Sequence, residues 1–178
     1  LERLADSLPG GVVDCSIGTP CDPVPEVAAR AAAAALPHSM GYPASAGSIA
    51  LREAAAAWVA RRFGVALDGE QVGACVGTKE LVAGLPHLLR LRNPQRDTVL
   101  YPAVSYPSYE MGAVLGGCRA VPVPLDADWH LDVEAVSEAD AERALVLWMN
   151  EPGNPSSSAA GSDHFASVAR WARARGIV

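Results

Sequence analysis

Hydrophobic positions recur along this chain at two spacings, and the alternation between them sets the fold expectation. Ser48 to Phe63 carries Ile49, Leu51, Ala55, Trp58, Val59 and Phe63, an apolar stripe at helical spacing that Gly64 stops. Thr78 to Leu91 places Leu81, Leu85, Leu88 and Leu89 on one side of another helix. Glu26 to Leu36 is alanine-rich and follows Pro23 and Pro25, a good helix start. Between and after these lie short apolar runs. Gln71 to Val76, Thr98 to Tyr101, Arg119 to Pro124 and Ala144 to Met149 predict buried strands. Tyr106 to Gly116 and Asp163 to Arg175 predict helices, and Asp132 to Ser137 a short one. Gly176-Ile177-Val178 reads as the entry to a further strand.

Strands that alternate with helices imply an α/β fold, a three-layer sandwich with a mainly parallel sheet covered on both faces. Residues 1–70 hold two helices and no predicted strand, so they are expected to form an N-terminal helical arm. Residues 71–178 are expected to be the first part of the α/β domain. A chain that ends on Gly-Ile-Val is expected to be cut within its sheet, because domains seldom stop inside an apolar strand.

Composition narrows the function classes. Half of the 178 residues are hydrophobic and 19% are charged, enough to bury a core and too apolar for wholesale disorder. The formal charge is −6 and no basic run occurs, which argues against nucleic acid and anionic membrane as partners. No apolar stretch reaches the roughly 18 residues of a membrane span, and no signal peptide is visible at Leu1, so a cytoplasmic protein is expected. Cys15, Cys21, Cys75 and Cys118 lack C-x-x-C spacing and are expected to be free, mostly buried thiols. His38, His87, His130 and His164 share no metal spacing. Asp126, Asp128 and Asp132 lack the glycine and distal glutamate of a calcium loop, so no metal is expected.

Polar chemistry collects at three places where a strand meets the next helix, the usual location of ligands in such sheets. At Val76-Gly77-Thr78-Lys79-Glu80 a glycine turn opens a helix, and free backbone N–H groups there would attract an anion; a plain N-cap by Thr78 is the alternative. At Tyr101 to Tyr109, prolines hold a loop with Tyr106 and Tyr109 three apart, either to stack on a flat ring or to fill a core. At Asn150-Glu151-Pro152-Gly153-Asn154-Pro155-Ser156, two amides sit in a rigid turn, for a ligand or for the turn itself.

In this order the motifs resemble the N-terminal half of a fold type I, class I/II aminotransferase. The matching stretches run from Ile17-Gly18-Thr19-Pro20 through Tyr42…Gly47…Leu51-Arg52, Gly77-Thr78-Lys79-Glu80 and Pro102…Tyr106…Tyr109 to Asn150…Pro152…Asn154-Pro155. The finer texture, Gly-Tyr-Pro-Ala-Ser-Ala-Gly and Gly-Thr-Lys-Glu-Leu-Val-Ala, is similar to actinobacterial succinyldiaminopimelate aminotransferases.

The resemblance implies pyridoxal 5′-phosphate as cofactor. It implies that Gly77, Thr78 and Lys79 hold its phosphate, that Tyr106 stacks on its ring, and that Asn154 donates to its phenolic oxygen beside the substrate. Gly18 would lie against the substrate carboxylate. Tyr42 would reach the phosphate of the neighbouring subunit in a homodimer. Pro155-Ser156-Ser157 departs from the family's Pro-Thr-Gly.

The lysine that carries the cofactor, the acid on its ring nitrogen and the substrate arginine are expected beyond Val178. Lys79 is the only lysine and belongs to the phosphate turn, so no catalytic residue is assigned and the chain alone is expected to be inactive and aggregation-prone. The implied activity is amino transfer, on N-succinyl-LL-2,6-diaminopimelate with 2-oxoglutarate in lysine biosynthesis. A ligand-sensing regulator domain and a related lyase are the alternatives.

Overall fold

The computed structural model describes residues 9–10, 18, 20–38 and 41–178. They belong to two compact units, Leu1–Pro43 and Ala44–Val178. In the first, Pro25 precedes helix α1 (Glu26–Ala35), which runs into a 3-10 turn at Leu36–His38. Cys15 lies outside the described residues, as do Ile17 and Thr19.

The second unit begins with α2 (Ile49–Phe63). The Ser48 side chain accepts from the Leu51 N–H at 3.2 Å, and Gly64 ends the helix in a left-handed conformation at φ 68°. There follow α3 (Thr78–Arg92), β1 (Thr98–Pro102), α4 (Ser108–Leu115), β2 (Arg119–Val123), α5 (Glu138–Arg143), β3 (Ala144–Leu147) and α6 (Ser162–Ala174). The three strands are parallel, with β1 in the centre of the order β2-β1-β3. Val178 exchanges backbone bonds with Leu145 and Leu147, at 3.1 and 2.8 Å, so Gly176-Ile177-Val178 does enter the sheet on the free edge of β3.

Side chains alternate across the strands and build two cores. Leu100 and Val123 face Val168, Trp171 and Ile177 on the α6 side. Val99 and Val146 face Ala113 of α4, with Leu85 and Leu89 of α3 packed against them. The arrangement is therefore three-layered: helices α3 and α4 on one face, α6 on the other.

At the N-terminal edge of the sheet Arg96 acts as a tie. Its guanidinium donates to the carbonyls of Ala144 and Arg175, both at 2.8 Å. Beside it Arg143 Nε donates to Asp97 at 2.9 Å, and this pairing chiefly holds the Asp97 carboxyl below its ordinary range.

Three expectations need correction. Gln71 to Val76 is not a strand: only a 3-10 turn at Gly69–Gln71 forms, and the rest is irregular and largely exposed. An apolar run becomes a strand only when another strand accepts its ladder, and this one has no strand partner among the described residues; Ala74 N–H bonds instead to the Ala46 carbonyl at 3.0 Å. Asp132 to Ser137 is a single 3-10 turn at Val133–Ala135, and the true helix, α5, starts afterwards because Ser137 caps it. Cys21 and Cys75 are exposed rather than buried, and Cys118 is half-buried.

Helices α3 and α4 approach at backbone contact. A Cβ on Gly112 would lie 2.6 Å from the Val82 carbonyl oxygen and 3.0 Å from Ala83 Cα. This approach seats α3 on the sheet face beside β3. Gly112→Ala in the full-length protein should therefore force the helices apart and destabilise it by about 1–3 kcal/mol. A urea-unfolding midpoint equal to the parent's would show that the contact is not required.

Candidate functional site

A cleft of about 530 Å³ lies where β1 and β3 end, and its lining comes from the second unit. Thr78, Lys79, Tyr106 and Asn154 all line it, and Gly77 immediately precedes Thr78. The three polar junctions thus meet in space. Gly18 and Tyr42 belong to the first unit; Tyr42 is fully exposed.

The α3 start differs from a plain cap. Gly77, not Thr78, is the N-cap, at φ 79°, and no side chain caps the helix. Thr78 is the first helical residue. The first-turn N–H groups have no intrahelical acceptor, and the helix dipole adds partial positive charge there. Such a terminus can bind an anion with little further help.

The two tyrosines separate cleanly. Tyr109 stacks on Trp148, centroids 5.5 Å apart at 28°, and is half-buried; burial raises its phenol pKa. Tyr106 is exposed in the cleft, with Lys79 Nζ 5.4 Å from its ring centroid. The neighbouring Lys79 ammonium lowers the pKa of the Tyr106 phenol, and the phenol raises that of Lys79. Tyr109 is the core residue that the loop pattern allowed, while Tyr106 leaves an aromatic surface in the cleft.

The asparagines separate too. Asn150 Nδ2 donates to the Pro152 carbonyl at 2.9 Å and so serves its own turn. Asn154 is exposed on the cleft, and its amide has no hydrogen-bond partner among the described residues. In the departing segment, Ser157 adopts φ 58°, the left-handed conformation that a glycine takes without strain. The turn at Asn154 thus keeps a glycine-like path with serine in it.

Sequence reasoning missed two features of this region. Trp148 supports Tyr109 from the end of the apolar strand; its place in that strand hid it as core. Asp126, Asp128 and His130 bring their ligating atoms within 4.8 Å of one another. A Leu125–Leu131 bridge closes this loop, and the Asp126 carboxylate accepts the N–H groups of Asp128 and His130, both at 2.9 Å. Those bonds lower its pKa, and they account for the cluster as a self-capped turn.

With this geometry in hand, the relatives are informative. A sequence model of the family aminotransferase class I and II matches residues 11–178. A probable aminotransferase of Mycobacterium tuberculosis is 41% identical over 178 residues, covering 99% of this chain and 40% of that protein. The 4-dedimethylamino-4-oxo-anhydrotetracycline transaminase OxyQ of Streptomyces rimosus is 38% identical over 177 residues, 99% of this chain and 46% of its own. The solved structure of a probable N-succinyldiaminopimelate aminotransferase of Thermus thermophilus superposes with TM-score 0.83 at 35% identity, over 99% of this chain and 46% of that one. The chain spans less than half the length of each of these relatives.

The Lys79–Tyr106 contact has a direct readout. An ammonium beside a phenol favours phenolate, so Lys79→Met should raise the Tyr106 pKa toward that of an ordinary tyrosine. Near-ultraviolet phenolate titration, with Tyr106→Phe subtracted as the blank, measures it. An unchanged Tyr106 titration in Lys79→Met would refute the pairing.

Proposed function

Since the chain belongs to the class I and II aminotransferases, a family that depends on pyridoxal phosphate, we propose that the full-length protein transfers an amino group between an amino acid and a 2-oxo acid. One observation carries this reading: an uncapped helix start, an exposed tyrosine ring and an unengaged amide share a single cleft at the ends of the parallel strands. Those three features fit the cofactor's phosphate, its flat ring and its phenolic oxygen in turn. When bound, pyridoxal phosphate supplies an electron sink for the bonds at the substrate's Cα.

This chain's residues then bind and orient. The backbone N–H groups at Gly77, Thr78 and Lys79, with the Thr78 hydroxyl, hold the phosphate. Tyr106 presents its face to the ring. Asn154 donates an N–H to the phenolic oxygen and borders the substrate. Gly18 backs the substrate carboxylate without a side chain in the way. Tyr42 donates its hydroxyl to the phosphate of the other subunit in a two-fold dimer, so each subunit completes its partner's site. Residues 71–178 contribute the cofactor-binding domain and residues 1–70 the arm.

The finer reading is N-succinyl-LL-2,6-diaminopimelate with 2-oxoglutarate, in cytoplasmic lysine biosynthesis. It is supported by the name of the Thermus relative and by the two motif textures around Tyr42 and Lys79. No helix among the described residues is long and apolar enough to cross a membrane. A second substrate class, an oxo-anhydrotetracycline, is favoured by the similarity to the Streptomyces transaminase.

The test is amino transfer by the full-length protein in two assays: glutamate formation from 2-oxoglutarate with N-succinyl-LL-2,6-diaminopimelate as donor, and 2-oxoglutarate formation from glutamate with the oxo-anhydrotetracycline as acceptor. N-succinyl-LL-2,6-diaminopimelate should be the better substrate by kcat/KM. Turnover of the tetracycline pair alone would replace the finer reading, and no amino transfer with any donor would remove the broader one.

Assembly has its own test. A hydrogen bond to a charged acceptor is worth roughly 1.5–3 kcal/mol, so Tyr42→Phe should weaken pyridoxal phosphate binding by about ten- to a hundredfold while the dimer persists. Equilibrium dialysis and sedimentation measure the two quantities. Undiminished cofactor affinity would rule the cross-subunit hydroxyl out.

A further inference from the structure

The turn that opens α3 has almost no packing to hold its shape. Val76 is 90% exposed, and nothing lies within 4 Å of the Cβ position of Gly77. Gly77 itself, at φ 79° and ψ 160°, has the freest backbone of any residue type. Yet an anion site built from backbone N–H groups works only if those groups stay in place.

One side chain reaches across the turn. Glu80 is the third helical residue, where a capping-box glutamate bonds the N–H of its own N-cap. Here the Glu80 carboxylate passes Gly77 and accepts instead from the Val76 N–H, one residue further out. The reach has two effects. It closes a ring of backbone around Gly77, fixing the turn without using any of the first-turn donors. It also commits the carboxylate to a donor outside the helix. Left untethered, a carboxylate in the first turn is drawn to the N–H groups of that turn by the helix dipole, where it would compete with a bound anion.

We infer that Glu80 is a positioning residue for the phosphate turn: its bond to Val76 holds Gly77, Thr78 and Lys79 in the anion-accepting form. The inference rests on the reading that this turn receives the cofactor phosphate.

Two substitutions separate reach from charge. Glu80→Asp keeps the charge, which suits a helix start, but is one methylene too short to span Gly77. Glu80→Gln keeps the length and an acceptor oxygen but loses the charge. The dissociation constants of pyridoxal 5′-phosphate and of pyridoxal, which lacks the phosphate, are measured by equilibrium dialysis on the full-length variants, with thermal melting to confirm folding.

Glu80→Asp should weaken pyridoxal 5′-phosphate binding by about tenfold and leave pyridoxal unchanged, and Glu80→Gln should retain the parent's affinity for both. An Asp variant that binds like the parent, or a Gln variant that falls as far as Asp, overturns the role of Glu80. A parent protein that binds both compounds equally defeats the phosphate reading itself, and the inference with it.

Discussion

Burial of β1 between two parallel neighbours is the constraint on which the rest depends. Thr98, Val99, Leu100 and Tyr101 are all buried, and both ladders among the three strands include this one. A parallel strand cannot hairpin to its neighbour, so each connection must cross over a face and return. The crossovers carry α4 over one face and bring the chain back past β1 to β3. All three strands therefore end on the same side, and the loops at Tyr106 and Asn154 meet there without any contact designed to join them.

The third component of the cleft arrives by helix packing. The α3 start belongs to no strand of this sheet, and the segment before it, Gln71 to Val76, is irregular. Its position comes from α4, through the glycine that lets two backbones touch, and from Leu85 and Leu89 on the sheet face. A larger residue at Gly112 would move the whole α3 terminus relative to Tyr106. The site is thus assembled from two independent mechanisms, ladder pairing for two loops and helix contact for the third.

The cleft is built from residues that give up local stability. A glycine N-cap without a side-chain acceptor gives up roughly a few tenths of a kcal/mol that serine or aspartate would supply. Ser157 holds a left-handed backbone that costs on the order of 1–2 kcal/mol outside glycine. Asn154 leaves an amide unpaired among the described residues. These departures from good local practice cluster at the ends of the strands, whereas the opposite edge is tied by Arg96 on two carbonyls and by Arg143 on Asp97. Such an asymmetry is expected where one end of a sheet holds the structure and the other holds the chemistry.

What the sequence by itself determined is whatever rests on neighbours in the chain. The helices at Glu26, Ser48, Thr78, Tyr106 and Asp163 follow from apolar spacing, prolines and caps, and the alternation of strand and helix made the sheet parallel. The motif order also carried the family, because Gly77-Thr78, Tyr106 and Asn154 stand at strand ends or helix starts in sequence as they do in space. Tertiary structure alone decided the rest. It refused a strand to Gln71–Val76, since a ladder needs a partner that no local signal supplies. It left Tyr106 and Asn154 open on the cleft, because Tyr109 is consumed by Trp148 and Asn150 by the Pro152 carbonyl. It made Gly77 rather than Thr78 the cap, and turned Glu80 back onto Val76. In each case the residue type was visible in the chain, but its hydrogen-bond partner was a matter of geometry, and only the folded backbone brings donor and acceptor within reach.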